Sequence, residues 1–585
     1  MFHCFGVIGM KRYTLCYIIA FLVSIPFLLA EPQKSLTSIP FVKVSADGAP
    51  PAIKKKEEKE ILYSPYDCVK IALDDARAVA LLNDNDLDIQ YIRYLALYNT
   101  PITKRQNLKK ALDFAINSLN TQYREIKRTA ILPATGADPI VIRVNLKDYG
   151  IDPKAWDDLA EKGSGRVPLS DPYFHTHVKI IENLEPIYET KKTPREVLIQ
   201  TPYGSRYVTE YVEEKIVVRH AKKRSKIVLS TAPWITYKDN GAAIGELTTL
   251  TQTKNPILRG DWFLTYASWA PAYYQLIGIK GKVQLVNGVA KILKGEKEFE
   301  KLALINKELA KKSTIAAVAD AKIVTLNNRI LARIPTVAGY TGGYYWSSLD
   351  TDTGIDDEDY LNAIARFDDP KIKAKELIAT AINTLQIYAL TDAENNLVLF
   401  ADPKVAIHGD VMPTRLQDKI VWAGTRNCAL CHYEGIIPIR DKARDLSQAQ
   451  IALLIAQQDK SKDRSIAKKI KEAFKPDLKG VIQYDNSIHA AAILACNGMK
   501  PRENISNFET FIVNYFDGFV NLEIAAREAG LHKEQLLFYL KKAINVDHTV
   551  TSLLQTPPVD VSRIPWERQG FAVMMNFLIT QLKTK

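Results

Sequence analysis

Apolar residues recur at helical spacing over residues 66–120, with Val69, Ile71 and Ala72, then Ile92, Leu95 and Leu97, then Leu108, Ala111, Leu112, Phe114, Ala115 and Leu119. This spacing predicts a helical unit broken at residues 99–101. Residues 139–146 alternate apolar and polar instead, as a half-buried strand does, and Asp152-Pro153 then opens a short helix carrying Trp156 and Leu159. Further β-like stretches fall within 176–230, and the aromatic-rich run 255–276 is expected to be helical and interior. Gly342 and Gly343 stand beside Tyr344, Tyr345 and Trp346, where they permit a turn or a close backbone approach. A short strand is expected at 396–400. Beyond residue 445 the pattern is helical, at 449–457, 465–474, 487–494, 508–519, 522–529 and 533–543. The expected fold class is α+β, predominantly helical, with a large N-terminal domain of helices and strands over 63–400 and a helical domain over 401–585.

The first 62 residues read differently. Lys11 and Arg12 precede 14 apolar residues at 17–30, and Glu31 resumes polar sequence. That is the pattern of a signal peptide over 1–30, and the apolar run is short of the ~20 residues a stable membrane-crossing helix needs. The chain is therefore expected to be exported, to the periplasm or cell envelope, with membrane association only through an uncleaved signal. Residues 31–62, rich in Pro, Ser, Lys and Glu, read as a flexible linker, and the mixed-sign cluster at 54–60 as a solvated part of it.

With 47% hydrophobic and 25% charged residues among 585, the composition excludes collagen-like, low-complexity and globally disordered chains. Loss of residues 1–30 would lower the net charge of +12 by two. The remainder favours an acidic partner or an anionic surface without locating a site.

The chemistry concentrates at Cys428-Ala429-Leu430-Cys431-His432, the C-x-x-C-H spacing that attaches a c-type haem. Two thiols three positions apart on one helical turn can each add to a haem vinyl group, and the next side chain then presents its imidazole to the iron. Export sharpens this reading, because such attachment takes place outside the bacterial cytoplasm. A redox dithiol would want a βαβ setting that the flanking sequence lacks. Structural zinc would need two more ligands, which only the distant singletons Cys68 and Cys496 could supply; those two could equally pair with each other or remain buried thiols. For the distal iron position, Met499 in a loop-like Asn497-Gly498-Met499-Lys500-Pro501 setting is the first candidate and Met412 the second. His408 and His489 are imidazole alternatives, and an open iron is the remaining one. The helix, Gly530 turn and second helix over 523–536 have the outline of a helix-turn-helix. Without a basic second helix, it reads as a helical packing unit beside the haem, and nucleic acid is not an expected partner.

The chain resembles a family of large c-type cytochrome domain-containing proteins of planctomycete-type bacteria. The likeness lies in Cys428 to His432 with Glu434, Gly435 and Pro438, in Arg93 to Asn99, in Asn145 to Gly150 with Trp156, and in Asp171 to Phe174. It continues through Asn255-Pro256, Arg259, Asp261 to Phe263, Thr341 to Trp346 and the helix pair from Ala525 to Leu536. It implies haem binding and electron transfer, carried onto Cys428, Cys431 and His432 alone. The expected protein is thus an exported mono-haem c-type cytochrome with one covalent haem c, its iron held axially by His432 in a helical, cytochrome c-like region. It would pass single electrons to or from a redox partner protein in the cell envelope. A haem enzyme with an open iron position, peroxidase-like, and an extracytoplasmic redox-sensing or binding protein are the alternatives.

Overall fold

In a computed structural model of the chain, the residues described are 63–82, 88–162 except 135 and 137, 179–227 except 202–203, 241–305 except 287–288, 315–320, 328–336, 343–351, 372–401, 421–441 except 440, 472–516 except 475–476, and 520–538 except 530. The expected signal peptide and linker, Met412 and His408 lie outside these residues. All described residues belong to one compact unit that begins at Glu60. It contains both helices and strands, so the α+β class holds. No helix among the described residues is long and apolar enough to cross a membrane.

Helix α1 (Pro65–Leu81) starts at a capping box: the Asp67 amide donates to Ser64 Oγ at 3.2 Å, and the Ser64 amide donates to Asp67 Oδ2 at 2.7 Å. Residues 92–96, expected to be helical, are instead strand β1 (Ile92–Ala96). Strand β3 (Val141–Asn145) flanks β1 antiparallel and β6 (Ile257–Arg259) parallel, and every residue of β1 is buried, because Leu95 on one face joins the main core while Ile92, Tyr94 and Ala96 on the other join the core under α1. A strand covered on both faces loses the polar–apolar alternation by which strands are recognised, so its apolar positions fit a helical template equally well. With β2 (Ala130–Leu132) on the far side of β3, these make a four-stranded sheet. Helices α2 (Ile102–Ser118), α3 (Leu146–Tyr149), α4 (Pro153–Lys162) and α5 (Gly241–Thr251) surround it, the last packing on α1. The β-like stretch at 176–230 forms a two-stranded antiparallel ribbon, β4 (Lys179–Thr201) and β5 (Gly204–Ile227).

The aromatic run is helical apart from β6: α6 (Gly260–Ala267) is buried throughout, and α7 (Ala272–Leu276) nearly so. Helix α8 (Gly295–Leu302) lies against an eight-stranded antiparallel sheet. The sheet consists of β7 (Val283–Val286), β8 (Val289–Ile292), β9 (Ile315–Asp320), β10 (Asn328–Pro335), β11 (Tyr344–Thr351), β12 (Ile372–Thr380), β13 (Gln386–Asp392) and β14 (Leu397–Val398). Their spatial order is β7-β8-β14-β13-β12-β11-β10-β9. Beyond it, β15 (Phe400–Ala401) pairs with β16 (Val421–Trp422) and leads into α9 (Thr425–His432).

Helix α10 (Leu478–Asn497) is longer than the 487–494 expected, because caps at both ends extend it. The Gly480 amide donates to Asp477 Oδ2 at 3.1 Å, and Gly498, at φ +76°, donates its amide to Leu494 O at 2.8 Å. Helices α11 (Pro501–Phe516) and α12 (Leu522–Ala529) follow. One core runs from Leu95 through the Phe114–Phe508 ring pair, at 5.5 Å between centroids, to Tyr515.

Candidate haem-attachment site

Backbone hydrogen bonds pin the chain before it enters α9. The Ala423 amide donates to Leu399 O at 2.8 Å, and the Ala270 amide to Ala423 O at 2.8 Å. Gly424 has φ +132°, and a Cβ there would collide with the Ser268 carbonyl, so the corner between α6 and α7 admits only glycine without movement. Thr425, Arg426, Asn427 and Ala429 form the buried side of α9. Thr425 Oγ1 lies 3.5 Å from Ser118 Oγ on α2. The Arg426 guanidinium sits 4.4 Å over the Trp269 ring.

Cys428, Cys431 and His432, at i, i+3 and i+4, share the other side of the helix and are all partly accessible. Both thiols are free. Burial pushes the Cys428 thiol up to about 12, and burial with the nearby Glu376 carboxylate raises Cys431 as well. A dithiol enzyme lowers the pKa of its attacking sulfur, so this pair has the opposite of redox-dithiol character. Tyr273, Tyr274 and Tyr388 lie within electrostatic reach of Cys428. They are ordered by a hydrogen-bond chain: the Tyr388 amide donates to Tyr273 Oη at 3.0 Å, the Tyr388 phenol to Gln386 Oε1 at 2.8 Å, and Gln386 Nε2 to Tyr344 Oη at 2.8 Å.

His432 Nδ1 is 3.1 Å from Gly435 O. A carbonyl only accepts, so Nδ1 carries the proton and Nε2 keeps its lone pair, the tautomer a metal-ligating imidazole needs. Gly435, at φ +110°, could not carry a Cβ without striking Asn486 Oδ1. Asn486 clamps the same turn from α10: the Ile436 amide donates to its Oδ1 at 2.6 Å, and its Nδ2 donates to Ile436 O at 2.9 Å.

One turn further along α10, on the same face, stands His489. Its ring is 2% exposed, and its Nδ1 has no hydrogen-bond partner. Burial, with the His432 imidazole close by, pushes its pKa down to about 3, so the ring is neutral. Met499 lies past the Gly498 cap, partly exposed, with its amide donating to Asn497 Oδ1 at 3.0 Å. His489 lies eight residues before the helix ends at Asn497, roughly 12 Å along the axis, and Met499 lies past that end. Cys68 sits in the core under α1 and Cys496 in the main core, both buried and unpaired. Among the described residues no three His, Cys, Asp or Glu side chains form a ready metal-ion site.

The donors present fit a covalently held haem: two protonated, unpaired thiols on one accessible helical face, beside an imidazole whose Nδ1 is already tied. Sequence reading located these three and named His489, but missed Asn486 and the tyrosines beneath Cys428. The i, i+3 pairing of Asn486 with His489 in a helical run was a usable sign; nothing local marks the tyrosines. The helix α12, outlined as half of a helix-turn-helix, instead receives the Tyr98 phenol at Glu528 O, 2.9 Å away, and offers Glu528 Oε2 to Arg259 at 3.0 Å. Compared with known proteins, the chain matches no family model, no curated protein and no solved structure.

Proposed function

We propose that this is an exported mono-haem c-type cytochrome that transfers single electrons, with Cys428 and Cys431 holding the haem through thioethers and His432 as the axial iron ligand. The observation that carries the reading is the shared face of α9, on which both free thiols and the His432 ring lie partly accessible while the Gly435 carbonyl orients the imidazole. Bound haem would supply a ferric–ferrous couple. The chain's part is to hold that couple still: α9 is fixed by Ala423 and Gly424 at its start, and the His432 turn is fixed by Asn486 at its end. A rigid, partly buried setting keeps reorganisation on electron transfer small. The partly accessible edge of α9 is where a redox partner in the cell envelope would approach, and the likeness to planctomycete-type cytochrome-domain proteins supports the same assignment.

The test is a pyridine haemochrome assay with metal analysis on protein made in a host competent for cytochrome c maturation. One haem per chain is expected, and replacing Cys428 and Cys431 together by Ala should abolish haem staining that survives denaturation. A colourless or zinc-loaded product, or staining retained in that double variant, would overturn the assignment.

A further inference from the structure

We propose that His489 is the distal ligand of the haem iron, making the centre bis-histidine rather than histidine–methionine or five-coordinate. The inference rests on the haem assignment above and adds the identity of the second axial group.

Three observations point to it. The His489 ring is 98% hidden from solvent, yet its Nδ1 has no hydrogen-bond partner. A buried polar atom left unsatisfied is unfavourable, so such atoms call for a partner. Second, α10 is held at the motif by the paired Asn486–Ile436 hydrogen bonds, and the missing side chain of Gly435 is what allows that approach. His489 follows Asn486 by three residues and so faces the same way. Third, the ring lies within electrostatic reach of the His432 imidazole.

Met499 lacks each of these features. It is partly exposed, belongs to the capping turn of α10, and lies beyond the end of that helix, more than two turns from His489. Of the other described histidines, His220 lies on the β4–β5 ribbon and His532 beyond α12.

The axial ligand sets spin state, potential and access of small molecules, so optical and electron paramagnetic resonance spectra of the purified holoprotein read it directly. Wild type should be low-spin in both oxidation states, lack the long-wavelength absorption of a methionine–ferric bond, and resist carbon monoxide when reduced. His489→Ala should become high-spin and bind carbon monoxide readily, and added imidazole should restore the low-spin spectrum, which a merely structural residue would not allow. His489→Met should gain the thioether band and a higher potential, while Met499→Leu should leave the spectra unchanged. A low-spin, carbon monoxide-resistant His489→Ala protein would overturn the inference, as would a wild-type thioether band that disappears in Met499→Leu. Covalent haem staining, measured on the same samples, separates the outcomes: stained protein with a different distal ligand sinks only this inference, whereas unstained wild type sinks the haem assignment itself. Should His489→Ala fail to accumulate, the spectra of His489→Met and Met499→Leu decide between the two ligands.

Discussion

At the scale of single residues, the site depends on a contact between one amide side chain and one missing one. Asn486 satisfies both polar groups of Ile436 because Gly435 leaves it room. Asn486→Ala should cost about 1–3 kcal/mol, the penalty of leaving buried backbone groups unpaired, read by chemical denaturation of the holoprotein. Gly435→Ala should be destabilising by itself, both through its left-handed φ of +110° and through the collision with Asn486. The collision with the Asn486 side chain is removed when Asn486 is also Ala, leaving only a tight contact with its Cα, so the double variant should be more stable than the sum of the two single losses predicts. Strict additivity would show that the two positions do not press on one another.

Between elements, α10 is docked at its N-terminal half by a buried ion pair. Arg333 on β10 donates Nε and Nη2 to Asp485 at 2.8 and 2.7 Å, and Trp346 Nε1 on β11 adds a third bond at 2.8 Å. Asp485 precedes His489 by one turn, so this clamp fixes the azimuth of the helix that carries the inferred ligand. Asp485→Ala strands a buried guanidinium and an indole N–H, and should cost about 3–5 kcal/mol. If His489 is set by that docking, the same variant should also broaden the haem spectrum in a way that Asp477→Ala, which removes only a cap, does not. The element scale is also where the sequence was hardest to read. Pattern located α1, α2, α4 and the ribbon, but misassigned β1, because burial on two faces erases periodicity. It also stopped α10 early, because the caps Asp477 and Gly498 lie outside the apolar stripe.

For the whole molecule, the N-terminal sheet and the last helices are joined through charge as well as through the shared core. Arg259, buried after β6, makes a two-bond pair with Asp261 at 3.0 and 2.7 Å and a third bond with Glu528 on α12 at 3.0 Å; Asn99 completes Asp261 at 2.8 Å. Asp261 holds more of the network than Glu528. Asp261→Ala should therefore lower Tm further than Glu528→Ala, and equal losses would mean that the network is not shared in this way. Because one core contains Leu95, Phe114, Tyr388, Ala429 and Tyr515, both variants should unfold the chain in a single transition that takes α9 with it.

The amino-acid order alone determined the spacing of Cys428, Cys431 and His432, since an i, i+3, i+4 set falls on one face of any helix through covalent geometry and helical rise. It likewise determined the Ser64 capping box, a product of interactions within a few residues. Only the tertiary structure decided that β1 is a central strand and that His489 comes within electrostatic reach of His432. Those outcomes rest on contacts between residues tens to hundreds of positions apart, such as Asn486 with Ile436 and Asp485 with Arg333. Which partners meet at that range is set by how the whole core packs, and no local pattern encodes it.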